Sequence, residues 1–473
     1  MLMDNELCFA PATVLGRLIR HREISIVELV ELFLRRIEEL NPRLNAYLAV
    51  CPDQALTAAR EAQRAVQQGQ PLGPLHGIPL SIKDLELTRG IPTTVGSLLF
   101  RDRVPEVDSV VVERVRQAGA IILGKTNTPE FGLSGTTENR LGDACRNPWN
   151  PERTPGGSSG GAAAALAAGL CTLATGTDGG GSIRIPASFT GTFGIKPSQG
   201  RVPRYGGYGR PSANQLSQSG PLSRTVADSA LLLQVLAGPD QRDPISRRDT
   251  PEDYSASLLG GVKGWRVAWS PNLGYAPVDP EVLRVTRQAA RVFEDLGAVV
   301  SESDLTLNDP FPPFLDVFTT AIYTSYGHLL DARRAEFTDY GIRALEHGAS
   351  ITGAGLSRAL LRVDQLRRQL EELFDHYDLL LTPTMAVTAF PIEQRPGVIA
   401  GQVVDPFWGF TPLTFPFNMS GQTAASVPCG FSGEGMPIGL QIVGPSGAEA
   451  RVLRASAAFE EARPWIQHWP AVG

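Results

Sequence analysis

Histidine and cysteine are scarce in this chain, and their scarcity removes whole classes of function. Six histidines and five cysteines are spread over 473 residues. The cysteines (Cys8, Cys51, Cys145, Cys171, Cys429) form no CxxC pair and have no histidines at zinc-ligand spacing, so neither a disulfide framework nor a metal site is expected. They read as reduced thiols of a cytoplasmic protein. Basic runs are absent: Lys+Arg 43 against Asp+Glu 49 leaves −6, which argues against nucleic acid as a partner. No apolar run reaches the roughly 20 residues of a membrane span. The longest, Gly161 to Leu173, is mostly alanine and glycine and reads as a buried helix. Asp4 and Glu6 stand where an export signal would carry positive charge before an apolar run, so no export is expected. What remains is an ordinary globular composition, 42% hydrophobic and 19% charged.

Periodicity then supplies the elements. Ser25-Ile-Val-Glu28 is a capping box, followed by apolar residues on one helical face from Ile26 to Ile37, with Asn41-Pro42 as the expected stop. Helices are expected over 52–68, 109–117, 280–296, 357–374 and 448–462. Strand-like runs occur at 75–86, 120–124, around Gly264, and at 378–383, 424–431 and 437–444. Alternating strands and helices predict an α/β fold: a single large domain with a central mixed β-sheet covered by helices on both faces. Two loops rich in proline and glycine, 200–220 and 390–416, are long enough to shape a site.

The chemistry concentrates between Thr154 and Pro186, where Ser158 sits in GGSSGG and Ser182 in DGGGSIR. Gly156 to Gly160 satisfies the GxSxG nucleophile elbow of a Ser-His-Asp hydrolase. However, the elbow needs a strand before its serine, and RNPWNPERTP is loop chemistry. His376 and His468 lie downstream as the histidines such a triad would need. A phosphate-cradling reading of GTDGGGS is weaker again, because GxxxxGK[ST] is absent and no GxGxxG follows a clear strand into a helix. The alternative is a serine hydrolase whose base is an uncharged lysine.

GIPLSIKD (Gly77 to Asp84), RTPGGSSGGAAAALAAGL (Arg153 to Leu170) and TGTDGGGSIRIPASFTGTFGIKPSQGRV (Thr175 to Val202) closely resemble the amidase signature family of amide hydrolases. The likeness continues through SGPLSRTVAD and NMSGQTAASVPCGF to PIGLQIVG, covering nearly the whole chain. It implies one amidase domain over 1–473, with N-terminal helices at about 10–70, a signature core at about 71–230, and a remainder, 231–473, completing sheet and pocket. It also implies catalytic roles for Lys83, Ser158 (after a cis peptide bond) and Ser182. Gly179, Gly180, Gly181 and Ser182 would form the oxyanion hole, where family members usually carry a larger residue than Gly179. Lys83 must then be neutral, well below the usual lysine pKa of about 10.4, which burial achieves.

Asp178 and Arg184 are expected to brace the loop as an ion pair, Ser159 to hydrogen-bond locally, and His76 to be structural. Phe131, Gly132, Tyr205, Tyr208 and Trp408 are candidate substrate contacts, with Phe407 and Phe410 in the same loops. Such apolar surface suits an aryl or alkyl amide, and the same route is open to carbamates (urethanes) and esters. The resemblance implies no cofactor, and a monomer or homodimer. The alternative within the family is the glutamine-hydrolysing A-type component of a tRNA-dependent amidotransferase. That component carries an arginine in a stretch like SNLARYDG; TTAIYTSYGHLL (Thr319 to Leu330) has none.

Overall fold

The computed structural model describes residues 3–206 and 215–472. The strands described are, in chain order, β1 (Tyr47–Val50), β2 (Pro79–Lys83), β3 (Ile121–Thr126), β4 (Leu173–Asp178), β5 (Phe193–Lys196), β6 (Gln218–Ser223), β7 (Arg266–Trp269), β8 (Val299–Glu302), β9 (Leu379–Pro383), β10 (Val398–Ile399), β11 (Gln402–Val403), β12 (Thr423–Phe431) and β13 (Pro437–Gly444). One sheet of 11 strands has the order β1-β3-β2-β4-β6-β5-β12-β13-β9-β7-β8, and β10 pairs with β11 in a separate hairpin. The sheet is mixed: β2 runs parallel to β3 and β4, and β7 to β8 and β9, while the remaining pairs are antiparallel. Every residue of β2, β3 and β4 is buried, as strands covered on both faces must be.

The alanine-rich stretch forms the helix Gly160–Ala167, buried along its whole length. Small residues let it press against its neighbours. A Cβ at Gly161 would lie 2.4 Å from the Asn127 nitrogen and 2.5 Å from the Ala46 carbonyl oxygen. Ser25 caps the first long helix, its hydroxyl accepting from the Glu28 N–H at 3.3 Å. Pro42 does not stop that helix, which runs Ile26–Leu44. A proline in the last turn costs only a bond near a frayed end, and Asn45 in the left-handed region closes the helix instead, its N–H reaching the Asn41 carbonyl at 2.7 Å. The helix expected over 357–374 is longer, Gly353–His376, and two further helices, Phe311–Tyr326 and Asp339–Ser350, fall where no element was expected.

The topology sets up the site. Lys83 ends β2, and Thr177 and Asp178 end its parallel neighbour β4, so these residues meet at one edge of the sheet. Ligands of open α/β sheets gather at such carboxyl ends. Ser158 arrives just before the helix Gly160–Ala167, and Ser182 just before the helix Arg184–Thr190.

Candidate active site

Lys83 is fully buried, and its Nζ donates to three hydroxyls: Ser158 Oγ at 2.7 Å, Thr177 Oγ1 at 2.8 Å and Ser159 Oγ at 2.9 Å. Three acceptors match the three N–H bonds of an ammonium group. Neutral lysine has two N–H bonds and one lone pair, so one of the three contacts must reverse and the hydroxyl must donate. Ser159 Oγ donates to the Thr177 carbonyl at 3.2 Å, which leaves its lone pairs to receive from Lys83. The neighbouring Asp84 points elsewhere, pairing with Lys125 at 3.3 Å and accepting from the Thr94 N–H at 2.9 Å. Burial therefore pushes the Lys83 pKa well below its ordinary value, opposed by the charges of Asp178 and Glu86.

The Gly157–Ser158 peptide bond is cis, as the resemblance implies. The Ser159 N–H donates to the Ser182 carbonyl oxygen at 3.1 Å and ties the two serine segments together. Ser182 is buried, 8% exposed, and its hydroxyl is hydrogen-bonded to no described group. The contact from Lys83 to Ser158 is thus formed, while the Ser158 and Ser182 hydroxyls are not hydrogen-bonded to each other.

Asp178 organises the glycine loop. Its carboxylate accepts from the Gly181 N–H at 2.7 Å and the Ile183 N–H at 3.2 Å, and it takes a two-pronged contact from Arg184 at 2.9 Å on both oxygens. Burial pushes its carboxyl up, yet the Arg184 guanidinium and the Asn418 amide hold it well below the usual carboxylate range. Arg184 also donates to Gln441 Oε1 at 2.6 Å, Asn418 Oδ1 at 2.7 Å and the Thr414 carbonyl at 2.9 Å. Because the Gly181 N–H is engaged, the four expected oxyanion donors narrow to three. The N–H groups of Gly179, Gly180 and Ser182 have no acceptor among the described residues. Gly181 has φ +128°, and a Cβ there would meet Thr414 Oγ1 at 2.4 Å, so only glycine fits.

The expected substrate contacts divide. Gly132 belongs to the site: a Cβ there would lie 3.2 Å from Ser158 Oγ. Trp408 lines a cleft of about 290 Å³ together with Leu133 and Phe318. Phe131 is fully buried, stacked on Tyr326 at 4.1 Å, and so packs the core. Phe410 is buried against Phe390, and Phe407 joins the cleft. Tyr205 is 44% exposed and lies under the Arg242 guanidinium, away from the cleft. Tyr208 lies outside the described residues. The His76 ring bonds the Ala62 carbonyl at 3.0 Å, and the residue precedes β2 at the end opposite Lys83.

Sequence reasoning missed Thr177, Thr414, Asn418 and Gln441, and it missed the aromatic wall of Phe314 and Phe318. Side chains at Gly180 and Gly179 would meet those two rings at 2.8 and 3.3 Å. The spacing of Phe311, Phe314 and Phe318, on one helical face, was the available signal.

Among the described residues no group of His, Cys, Asp and Glu is arranged to hold a metal ion, and no helix is long and apolar enough to cross a membrane. Neither serine is bonded to a histidine, so the fold and site set this protein apart from the Ser-His-Asp hydrolases. The amidase family model matches residues 28–453. The chain is 39% identical to an acylamidase of Rhodococcus erythropolis, with 99% of both chains covered. It is 38% identical, again with 99% of both covered, to the A-type component of a glutamyl-tRNA(Gln) amidotransferase from Moorella thermoacetica. A crystal structure of a bacterial aryl acylamidase superposes with a TM-score of 0.91 at 35% identity, covering 97% of both chains. The chain belongs to the amidase family and is an amide hydrolase.

Proposed function

We propose that hydrolysis runs through an acyl-enzyme on Ser182, with Lys83 as base and Ser158 as the relay between them. The observation that carries this reading is a fully buried lysine whose Nζ meets hydroxyls and a carbonyl but no carboxylate. The Ser182 proton passes to Ser158 Oγ as the Ser158 proton passes to Lys83 Nζ, and Ser182 Oγ attacks the carbonyl carbon. The free N–H groups of Gly179, Gly180 and Ser182 receive the negative charge that develops on the carbonyl oxygen. Collapse breaks the C–N bond, and the proton held on Lys83 returns through Ser158 to the departing amine. Water then cleaves the acyl-serine ester by the same relay. Asp178 and Arg184 keep the glycine loop in shape.

The substrate is an amide with an aryl or alkyl group. Support comes from the cleft walled by Leu133, Leu315, Phe318 and Trp408, whose Phe318 ring a Cβ at Gly179 would meet at 3.3 Å, and from the acylamidase relatives. Carbamates and esters are open to the same chemistry. Five unpaired thiols, four of them buried, suit a reducing cytoplasm. Rates for the purified chain on an anilide, a fatty amide, an aryl carbamate and glutamine test the reading, with Ser182→Ala as control. Turnover of glutamine alone, and only with added partner proteins, would favour the amidotransferase role of the second relative.

A further inference from the structure

Trp408 stands between two clefts. One, of about 290 Å³, lies toward Leu133, Leu315, Phe318 and Ala344. The other, of about 240 Å³, lies toward Tyr275, Pro277, Pro412 and Phe415. Both share Phe311, Asp405 and Trp408, so the indole is part of the partition between them. Its main chain is fixed: the Trp408 N–H donates to Asp405 Oδ1 at 2.7 Å, and its carbonyl accepts from Thr411 Oγ1 at 2.8 Å. Its ring is held by packing alone, edge-on to Phe314 at 5.5 Å, Phe318 at 5.9 Å and Phe407 at 5.5 Å, and its indole N–H donates to no described group. The same turn reaches the glycine loop, because the Thr414 N–H donates to the Thr411 carbonyl at 3.2 Å and Thr414 Oγ1 to the Gly180 carbonyl at 2.7 Å.

We propose that Trp408 is a specificity-determining residue that divides one long apolar slot in two and caps the length of the substrate's apolar group. This rests on the amide-hydrolase reading of Ser182 and adds to it a size limit set by one ring. A single aromatic ring or a short chain fits the cleft of about 290 Å³ beside Phe318, and a longer chain runs into the indole. Removing the ring joins the two clefts and nearly doubles the space, from about 290 Å³ by a further 240 Å³.

The test uses 4-nitroanilides with acyl chains from acetyl to decanoyl, and acetamides carrying N-alkyl chains of the same lengths, on wild type, Trp408→Ala and Trp408→Phe. In Trp408→Ala the ratio of kcat/KM for the octyl-length to the shortest substrate should rise by about tenfold in one series, the worth of roughly two more buried methylenes. Trp408→Phe, which keeps a ring in place, should fall between. A ratio within about twofold of wild type in both series and both variants overturns the proposal. Ser182→Ala made in each background keeps the two readings apart: loss of turnover there leaves the catalytic reading standing whatever the length ratio does, and residual turnover sinks the catalytic reading itself.

Discussion

Thr177→Val removes one of the three hydroxyls around Lys83 Nζ while keeping the shape of the side chain, which makes it the sharpest probe of the lysine's charge state. Thr177 Oγ1 accepts from Nζ at 2.8 Å and has no other described partner. A hydrogen bond to a charged group is worth about 1.5–3 kcal/mol. The ammonium form gains more from this contact than the neutral amine does, so losing it should lower the Lys83 pKa further. The sign follows from which form is active. If neutral Lys83 is the base, kcat/KM rises as pH climbs through its depressed pKa, and the rising limb moves to lower pH in Thr177→Val. The plateau falls as well, by up to about 100-fold, because one of the two N–H bonds of neutral lysine loses its acceptor and the lone pair is no longer aimed at Ser158. KM should change little, and Thr177→Ser should restore both limb and plateau. The assay is kcat/KM against pH for the three proteins, with thermal melts to check folding. A limb that stays put or moves to higher pH, or a serine variant that rescues nothing, refutes the argument.

Ser182→Ala should abolish turnover and labelling by a fluorophosphonate; label retained on Ser158 would move the nucleophile there. Lys83→Arg should be at least as harmful as Lys83→Ala, since arginine cannot give up its proton at working pH; an arginine variant that keeps most of its activity would make Lys83 a fixed charge. Asp178→Asn should unfold at lower denaturant by about 3–5 kcal/mol, because the buried Arg184 loses its counter-charge. Wild-type stability in that variant would mean that the glycine loop does not depend on the pair.

Six strands of the large sheet (β2, β3, β7, β9, β12 and β13) and helices such as Ile26–Leu44, Pro52–Gln67 and Pro280–Asp295 were legible because each carries a period, a cap or an apolar run in its own residues. The strands β1, β4, β5, β6 and β8 were not, being four residues long or, like LATGTD and QSGPLS, made largely of small and polar residues. The serines, glycines and Lys83 drew attention because they stand in contiguous motifs. The aromatic candidates fared worse for a physical reason. An aromatic residue in a loop near a motif serves core, surface or pocket equally well, and its partners decide which: Tyr326 and Phe337 claim Phe131, and Arg242 claims Tyr205. Gly181 shows the same limit at the level of one N–H. Its sequence neighbours make it a donor, and only the fold reveals that the Asp178 carboxylate already takes that donor.

Charge state is the property furthest from the sequence, and the three buried lysines show why. Lys83, Lys125 and Lys196 are all fully buried, and burial lowers the pKa of each. Lys125 has a carboxylate, Asp84, at 3.3 Å, which favours its charged form. Lys196, pushed down to about 7 by burial and by the charge of Arg184, has no such partner, and its Nζ donates to the Pro197 carbonyl at 3.0 Å and to the Gln422 carbonyl. Carbonyls accept hydrogen bonds but have no proton to give, so a neutral Lys196 has nothing beside it to deprotonate. Lys83 alone of the three is surrounded by hydroxyls without a paired carboxylate, and one of them, Ser158, sits in the segment that the Ser159 N–H binds to the Ser182 carbonyl. A low pKa makes a lysine available as a base, and a neighbouring O–H makes it useful as one. Among the described residues only Lys83 combines both conditions at the edge of a glycine loop whose N–H groups have no described acceptor, and the proposed relay rests on that combination.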